Sequence, residues 1–509
     1  MTAPALSPGQ ERLQIWESRI PSLLTGGCVL VLFWVVISAI GQGFMPTDDA
    51  LRHSAYAVSG KTWDQILVLN PGLMADHNPG WHVTLRWLHH SLGWHQSQLV
   101  LFSVVSLFLC VTLPAVFLLR RPELWLASLT AILIAQPHFL LRLMLGRPLL
   151  LSIAVLILLL IFWTRNDLSA RQQKLLLAGS VLLIGLAVWI HGTWYLFFLP
   201  AVAFALAGKI KPAVQLAACW LGGSLFAAIL TGHPVEFLTG AVRFALSALG
   251  GYTPQQVLVT EFQATDGVFP YVALVVAVAM MRAWFAGRLP SFFRDPVFVL
   301  LVLGWLLGLK VARFWLDWSM PAAWVWMTMS FIEIADSRVP LRSWRRARLG
   351  ACILAALFLI SVSDYESRWT TALKTDYLSP EKTELDGWLP GDGGIIYSPE
   401  MSVFYQTFFK NPKAPWRYVL GYEPALMTPE NLKTLRNIQW NDGDPRTYQP
   451  WLDKLRPEDR LVFIGGVRME PSLPGIEWIY AATDRWLGRP IQTTPESPNQ
   501  GPAVDRPRP

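Results

Sequence analysis

Long apolar segments alternate with short polar loops over the first two thirds of the chain. A helix needs roughly 20 residues to cross a hydrocarbon core of about 30 Å. The pattern therefore predicts an α-helical polytopic membrane protein with about eleven transmembrane helices between residues 22 and 363. They are expected at 22–44, 98–119, 123–140, 148–163, 174–190, 194–208, 213–231, 269–286, 296–309, 314–334 and 348–363.

The signs of the loops predict the orientation of these helices. The first segment follows a polar leader at 1–21 without a small-residue cleavage site, so we expect a cytoplasmic leader and a retained helix. Lys and Arg collect in cytoplasmic loops. With a cytoplasmic N-terminus, the basic loops 120–121, 165–174, 209–211, 282–294 and 338–348 all lie inside.

Two pairs of predicted helices are separated only by short polar stretches, "HGTWY" at 191–195 and "KVARFW" at 310–315. Merging either pair would turn the Arg-rich loop 338–348 outward, so both breaks are predicted. The odd number of helices then places the chain after about residue 364 outside the cytoplasm. The long loops 45–97 and 232–268 lie on the same side.

The pattern changes at residue 364. "GIIYS" and "RLVFIGG" are typical of short buried strands, and "TPENLKTLRN" predicts a capped helix. We expect a small extracytoplasmic α/β domain at 364–490. The Pro-rich segment 491–509 has little apolar content and is predicted to be disordered.

Composition narrows the function. Hydrophobic residues make up 53% of the chain and charged residues 15%, as in a membrane protein. The net charge of +7 comes from short loops between apolar segments, which argues against nucleic-acid binding. No Walker loop, dinucleotide-binding fingerprint or Cys/His metal motif occurs in the sequence. The four cysteines lie in apolar runs and are interpreted as small core residues.

Ionisable residues gather at the predicted outer ends of the helices. Such residues are costly near a bilayer and indicate a functional site. They are Asp48, Asp49, Arg52, His53, Asp76, His77, His82 and Arg86 in the first outer loop, then Arg142, Arg147, His191, Glu261, Asp266, Lys310, Arg313 and Asp317.

The stretch "MPTDDALRH" carries two adjacent acids. It is a good helix start, with Thr47 as the N-cap and the acids in the first turn. In such a helix Asp48 and Asp49 stand four residues before Arg52 and His53, so acids and bases share a face. Capping alone does not explain this. The acids are candidates to remove a proton from an acceptor hydroxyl, or to hold a divalent cation, Mg²⁺ or Mn²⁺, against a lipid phosphate.

Residues 74–95 are rich in histidine. The spacing of His82, Arg86, His89 and His90 predicts an amphipathic helix on the outer membrane surface, anchored by Trp81, Trp87 and Trp94. His89, His90 and His95 are interpreted as surface polar groups. His77, Asn78 and His82 are either surface residues or part of a cavity. The spacing of the imidazoles fits no standard metal site.

Four cations are candidate phosphate ligands. Arg142 and Arg147 flank one outer turn, and Lys310 and Arg313 belong to the next such turn. Arg pairs well with phosphate oxygens. The alternative is that these side chains extend toward lipid headgroups.

The arrangement resembles the GT-C superfamily of polytopic glycosyltransferases that use polyprenyl-phosphate-linked sugars. The resemblance rests on a cytoplasmic N-terminus, a first outer loop that begins with Asp48 and Asp49, interfacial helices in that loop, about a dozen spans and an outer C-terminal domain. It implies a bacterial inner-membrane enzyme that moves a sugar, with inversion, from a polyprenyl-phosphate carrier to a glycan, lipid or protein.

The resemblance also implies roles for residues. Asp48 or Asp49 would be the catalytic base, or the metal or acceptor contact. Glu261 or Asp266 would be a second acidic site. Substrate contacts are expected from Arg52, His53, His77, Arg142, Arg147, His191, Lys310 and Arg313.

Two other interpretations remain open. A transporter or flippase for a lipid-linked sugar would show a similar cationic cavity, although it would more often have internal repeats and charges at mid-membrane. A non-catalytic scaffold would use the same frame to hold a protein partner through the C-terminal domain. The aromatic segment 404–427 suits either a glycan acceptor or a protein.

Overall fold

The structure is a computed structural model. It describes residues 8–71, 73, 76–165, 168–249, 263, 269–286, 292–337, 343–374, 378–441, 443–464, 470–482 and 485–491. The predictions for Glu261, Asp266 and the tail from 492 lie outside the described residues.

All eleven predicted apolar segments are helical. The helices before the C-terminal sheet are α1 (Pro8–Gly41), α2 (Asp49–Ser59), α3 (Trp63–Ile66), α4 (Pro79–Leu92), α5 (Gln96–Leu118), α6 (Pro122–Ala135), α7 (His138–Met144), α8 (Leu149–Trp163), α9 (Ala170–Ile190), α10 (Leu199–Leu206), α11 (Ile210–Leu230), α12 (Pro234–Leu249), α13 (Phe269–Ala286), α14 (Pro296–Gly308), α15 (Ala312–Phe314), α16 (Met320–Ser337) and α17 (Ser343–Val362). A 3-10 turn, Trp194–Phe198, precedes α10, and a π turn, Trp315–Ser319, precedes α16.

Four helices are long and apolar enough to cross a membrane on their own, within the described part of the chain. They are Trp16–Gly41 of α1, together with α5, α9 and α11. The pair α6 and α7 would be a fifth, and four more helices are apolar but shorter. The chain thus has the helices of a multi-pass membrane protein, and the number of eleven spans stays a prediction.

One predicted helix is broken. The segment 123–140 divides into α6 and α7, whose axes differ by 117°. Pro137 lies at the break, where a proline removes a backbone donor and ends the helix. The prediction of one continuous helix is therefore wrong, and Arg142 lies on the short helix α7. Both predicted breaks near 191 and 310 are present.

The core of the bundle is tightly packed aromatic and aliphatic side chains. Trp125 of α6 and Trp324 of α16 stack with ring centroids 3.9 Å apart, and both are fully buried. The Trp324 indole N–H donates to the Trp125 carbonyl at 3.0 Å. This contact joins distant parts of the chain and satisfies a polar group that burial would otherwise leave without a partner.

Ion pairs bring two of the predicted cytoplasmic loops together. Arg346 pairs with the buried Glu123 at 2.6 Å and also donates to the Arg120 carbonyl. Arg121 pairs with Asp336 at 2.6 Å. The residues around 120 and the described residues 343–348 therefore share one end of the bundle, as the common sign of these loops predicts.

The C-terminal region forms a five-stranded mixed sheet of order β2-β1-β3-β5-β4. Its strands are β1 (Ile395–Tyr397), β2 (Arg417–Tyr418), β3 (Arg460–Ile464), β4 (Ile476–Ala482) and β5 (Arg485–Pro490), with helices α18 (Met401–Lys410), α19 (Pro429–Trp440) and α20 (Gln449–Leu452). Strand β1 is parallel to β2 and β3, whereas β5 is antiparallel to β3 and β4. The predicted strands at "GIIYS" and "RLVFIGG" and the helix at "TPENLKTLRN" are confirmed.

The first outer loop packs against this sheet. The Val68 N–H donates to the Tyr418 carbonyl at 2.9 Å, and the Asn70 N–H donates to the Leu426 carbonyl at 2.7 Å. Helix α18 also packs on α2. The first outer loop and the C-terminal sheet thus pack together as one layer, which we call the outer layer.

Candidate functional site

A cavity of about 400 Å³ lies between the bundle and this outer layer. Six separate parts of the chain contribute to its wall: the first outer loop, the turns after α7 and α9, helix α12, the turn around α15, and the C-terminal region. Its polar lining residues are Asp48, Asp49, Arg52, His53, His77, Asn78, Arg147, His191, Thr193, Tyr195, Arg313, Asp317, Tyr405, Tyr422 and Glu423.

The acidic pair is engaged by arginines. Helix α2 begins at Asp49, and its N-cap is Asp48 rather than the predicted Thr47; the Asp48 side chain makes no capping hydrogen bond. Instead, Asp48 Oδ2 lies 2.5 Å from Arg147 Nη2. Asp49 Oδ1 accepts from Arg52 Nε at 2.6 Å, an i,i+3 pair in place of the expected i,i+4 pairing. The pair therefore holds two guanidinium groups at the cavity.

The backbone of Gly146 sets the position of Arg147. Gly146 has a φ of +64°, in the left-handed region that side chains disfavour. A Cβ at this position would lie 3.2 Å from Val104 and 3.3 Å from Ala50. Glycine thus permits both the turn and the close packing that direct Arg147 toward Asp48.

A second ionic cluster surrounds Asp317, whose side chain is 3% exposed. Arg142 Nε donates to Asp317 Oδ1 at 2.9 Å, and Arg313 Nε lies 3.6 Å from Asp317 Oδ2. Asp317 belongs to the π turn before α16, a type of helix irregularity that is frequent at functional sites. Two guanidinium groups face one carboxylate here.

The four predicted phosphate ligands have different positions. Arg147 and Arg313 line the cavity. Arg142 is not a lining residue, but it donates a hydrogen bond to Asp317, which lines the cavity. Lys310 is exposed at the end of α14 and is not one of the lining residues.

Arg52 is 6% exposed and lies over the Tyr422 ring, with Cζ 3.8 Å from the ring centroid. Burial by itself would lower the pKa of Arg52, but Asp49 and the neighbouring Tyr422 and Tyr405 outweigh burial and raise the pKa. The side chain therefore remains a cation, held between a carboxylate and an aromatic face.

The three predicted histidines His53, His77 and His191 all line the cavity. The Asn78 side-chain amide donates to the Ile190 carbonyl at 3.2 Å, and the Gly192 N–H donates to the His77 carbonyl at 2.9 Å. These bonds attach the turn at 76–78 to the end of α9. They place two histidines from distant parts of the sequence beside each other.

These histidines are neutral at neutral pH. Burial, aided by Arg52, lowers the pKa of His77 to about 4. Burial, aided by Arg313, lowers the pKa of His191 to about 3. Burial and then Arg52 hold the pKa of His53 well below its usual value. Neutral imidazoles can accept protons or donate hydrogen bonds to a substrate.

Helix α4 departs from the prediction of a helix that lies on the membrane surface. His82 is buried at 2% exposure, and its Nδ1 lies 2.9 Å from Asp76. Its Nε2 lies 2.7 Å from His53 Nδ1. Trp81 is also buried and packs near Phe102, so it is not an exposed anchor, whereas Trp87 is exposed. Helix α4 thus presents its polar face partly to the protein interior.

The C-terminal region supplies part of the wall that the sequence did not identify. Tyr405 of α18 lies with its hydroxyl 3.5 Å from Asp49 Oδ1, and Tyr422 and Glu423 follow β2. Burial raises the pKa of Tyr405 well above its usual value, so the phenol remains protonated. The density of aromatic residues at 404–427 was the only sequence signal for these positions.

The lining residues do not match a divalent-cation site. Each carboxylate of the acidic pair already lies against an arginine. No group of three or more His, Cys, Asp or Glu side chains in the described ranges is arranged to hold a metal ion. The described residues thus do not fit the Mg²⁺ or Mn²⁺ that the sequence suggested, and no chemical step is assigned to a metal.

Two of the solved structures that match this chain resemble it distantly. The oligosaccharyltransferase of Archaeoglobus fulgidus, crystallised tethered to an acceptor peptide with the NVT sequon, matches 86% of this chain and 69% of its own at 11% identity and a TM-score of 0.44. ArnT from Cupriavidus metallidurans in the apo state matches 91% and 98% at 13% identity and a TM-score of 0.38.

Both matched structures are of GT-C glycosyltransferases, the superfamily that the sequence resembles. No protein-family model matches the chain, and no curated protein matches it. At these TM-scores the structural likeness is distant, so only the residues of the cavity bear on the activity of this chain.

Proposed function

We propose that the chain is a membrane glycosyltransferase that moves a sugar from a polyprenyl-phosphate carrier to an extracytoplasmic acceptor. One observation carries the proposal: an acidic pair and arginines from distant parts of the chain converge on one cavity beneath the outer layer. The cavity combines charged groups, neutral histidines and aromatic walls. This combination is typical of a reaction site and not of a packing interface.

The arginines suit the leaving group. When the bond between the sugar and its phosphate breaks, negative charge develops on the departing polyprenyl phosphate. Arg147 and Arg313 line the cavity, and Arg142 supports Arg313 through their shared partner Asp317. Guanidinium groups bind phosphate oxygens in a bidentate manner, so these side chains are the proposed phosphate contacts. A nucleotide pocket is not required, since the carrier already provides the leaving group.

The proposed role of the acidic pair is to hold the arginines in place. A carboxylate in contact with a guanidinium is a weak base because protonation would cost it the ion pair. The main role of Asp48 is therefore to position Arg147, and the main role of Asp49 is to position Arg52. The role of Asp48 or Asp49 as the catalytic base stays a prediction, and so does the second acidic site at Glu261 or Asp266.

The aromatic wall suits a sugar. Tyr405 and Tyr422 face the cavity, and the flat faces of aromatic rings pack against the apolar faces of sugar rings. The same residues lie in the outer layer, which would face an acceptor in the periplasm of a bacterium. Membrane lipids, and a protein partner bound by the C-terminal region, complete the proposed surroundings in the inner membrane.

A transfer assay tests the proposal. Purified protein in nanodiscs is given a panel of short-chain polyprenyl-phosphate hexoses and pentoses, and release of polyprenyl phosphate is measured. Asp48→Asn and Asp49→Asn are expected to lower release at least tenfold, since each loses a charged partner of an arginine. Asp453→Asn, an exposed acid of the C-terminal region, is the matched control.

Three results would contradict the proposal. Normal turnover in both Asn variants would show that the acidic pair is not needed for the reaction. Movement of an intact labelled lipid across proteoliposomes, with no cleavage in any assay, would favour the transporter. Lipid binding with neither cleavage nor movement would favour the scaffold.

A further inference from the structure

Three polar side chains connect the cavity to solvent. His53 is fully buried and lines the cavity. Its Nδ1 lies 2.7 Å from Nε2 of the buried His82, and Nδ1 of His82 lies 2.9 Å from Asp76. The side chain of Asp76 is 30% exposed. The three groups form a continuous hydrogen-bonded path about two rings long.

The carboxylate at the outer end fixes the protons along this path. Asp76 accepts, so His82 Nδ1 carries a hydrogen. In a neutral ring His82 Nε2 is then an acceptor, and the hydrogen at 2.7 Å must belong to His53 Nδ1. His53 Nε2 is therefore left with its lone pair. That atom is buried and has no hydrogen-bond partner among the described residues.

We infer that His53 Nε2 is the base that takes the proton of the acceptor hydroxyl, and that His82 and Asp76 pass the charge toward solvent. This inference rests on the proposed transferase function. As the acceptor oxygen bonds to the anomeric carbon, its proton moves to His53 Nε2. The bond between that carbon and the phosphate oxygen breaks, and the electron pair leaves with the polyprenyl phosphate.

The proton balance closes through the relay. His53 Nδ1 gives its own hydrogen to His82 Nε2, so the positive charge comes to rest on His82 beside the Asp76 carboxylate. Because Asp76 reaches solvent, the proton can leave from there. His53 is the catalytic residue in this scheme, and His82 and Asp76 are positioning residues.

The surroundings keep the relay in this arrangement. Tyr56 and Trp63 pack against the His82 ring, with centroids 4.5 and 5.9 Å away, and hold it between His53 and Asp76. Burial is the largest cause that lowers the pKa of His53, followed by the neighbouring titratable groups Arg52, His82, His191 and Arg147. His53 is thus unprotonated at neutral pH, as a base must be.

The first test compares His53→Gln with His90→Gln, which alters an exposed histidine of α4. The His53 variant is expected to lose about 10²-fold to 10⁴-fold in kcat for the polyprenyl-phosphate sugar, the usual contribution of a general base. Binding of the phosphate lipid without its sugar, measured by tryptophan fluorescence, should be unchanged in both. His82→Gln should shift the pH profile of kcat, which loss of packing alone would not do.

The second test needs no variant. Nitrogen-15 NMR of histidine-labelled protein in nanodiscs should show His53 protonated at Nδ1 and bare at Nε2, whether or not a sugar substrate has been found. A proton on Nε2 at pH 7 would overturn the relay, and so would normal turnover in His53→Gln. Those results leave the transferase proposal intact, whereas absence of lipid cleavage by the wild type would refute both.

Discussion

At the scale of single residues, the charges of the cavity are stabilised by one another. Asp48 and Arg147 are each about one-fifth exposed and lie 2.5 Å apart. Removal of one member of a largely buried pair leaves the other without compensation, at a cost of about 3 kcal/mol. We expect Arg147→Gln to lower the thermal unfolding temperature in detergent by several degrees, and the double variant with Asp48→Asn to recover part of that loss.

The exposed pair Asp444 and Arg446 provides the control for this cycle. Arg446→Gln removes a contact of 2.6 Å on the surface, where water replaces the lost partner. No measurable change in unfolding temperature is expected. An equal loss of unfolding temperature in Arg147→Gln and Arg446→Gln would show that the cavity pair is no more stabilising than a surface contact.

Transfer activity should not return in the double variant of Arg147→Gln and Asp48→Asn, because the phosphate contact of Arg147 is still missing.

A backbone prediction belongs to the same scale. Gly146→Ala forces a side chain into a left-handed conformation, at about 1–2 kcal/mol, and also crowds Val104 and Ala50. We expect lower stability and lower transfer, since Arg147 follows directly. Gly60→Ala is the matched control because Gly60 has a similar φ of +69° with open space around it. Equal activity losses in both would exclude a special role for packing at Gly146.

At the scale of secondary structure, helix α18 closes the cavity. Tyr405 projects from this helix toward Asp49. We expect Tyr405→Phe to keep most of the transfer activity, because the ring remains, and Tyr405→Ala to raise KM for the donor about tenfold, the effect of roughly 1.4 kcal/mol of lost binding. Tyr480→Ala on strand β4, which is 39% exposed, is the control. Equal KM values in the Phe and Ala variants would exclude the wall as a substrate contact.

Elements were largely predictable, and contacts between elements were not. The length of the apolar runs identifies all eleven helical segments, although one of them is two helices, because a membrane demands long apolar runs. Pro137 was visible in the sequence, but its 117° bend depends on how α7 packs. The pairing of Arg142 with Asp317 spans 175 residues, so no local pattern predicts it. Likewise, the spacing along α4 predicts that His82 lies on the polar face of this helix. Only the fold shows that His82 contacts His53.

At the scale of the whole molecule, the cavity and the basic loops should face opposite compartments. Single cysteines at Asp453 and Arg345 in a cysteine-free background test this. A membrane-impermeant maleimide added to right-side-out vesicles should label position 453 and leave position 345 unlabelled until the membrane is opened. Labelling of both from one side would contradict the topology that the loop charges predict.

The histidines of the cavity give the whole fold a dependence on pH. His53, His77 and His191 have a pKa below that of an unfolded histidine, about 6.5, and the folded values for His77 and His191 are about 4 and about 3. Between those limits the unfolded chain binds more protons, so stability is complete above about pH 6.5 and is lost as the pH falls. The lowered pKa of His77 alone reduces the free energy of unfolding by about 3 kcal/mol at pH 4.

The unfolding temperature in detergent should therefore fall steeply from pH 7 to pH 4.5. The His77→Asn variant should flatten this curve, and the His90→Gln variant should leave it unchanged. An unfolding temperature that is constant over this range would show that the fold does not hold the three histidines as neutral groups.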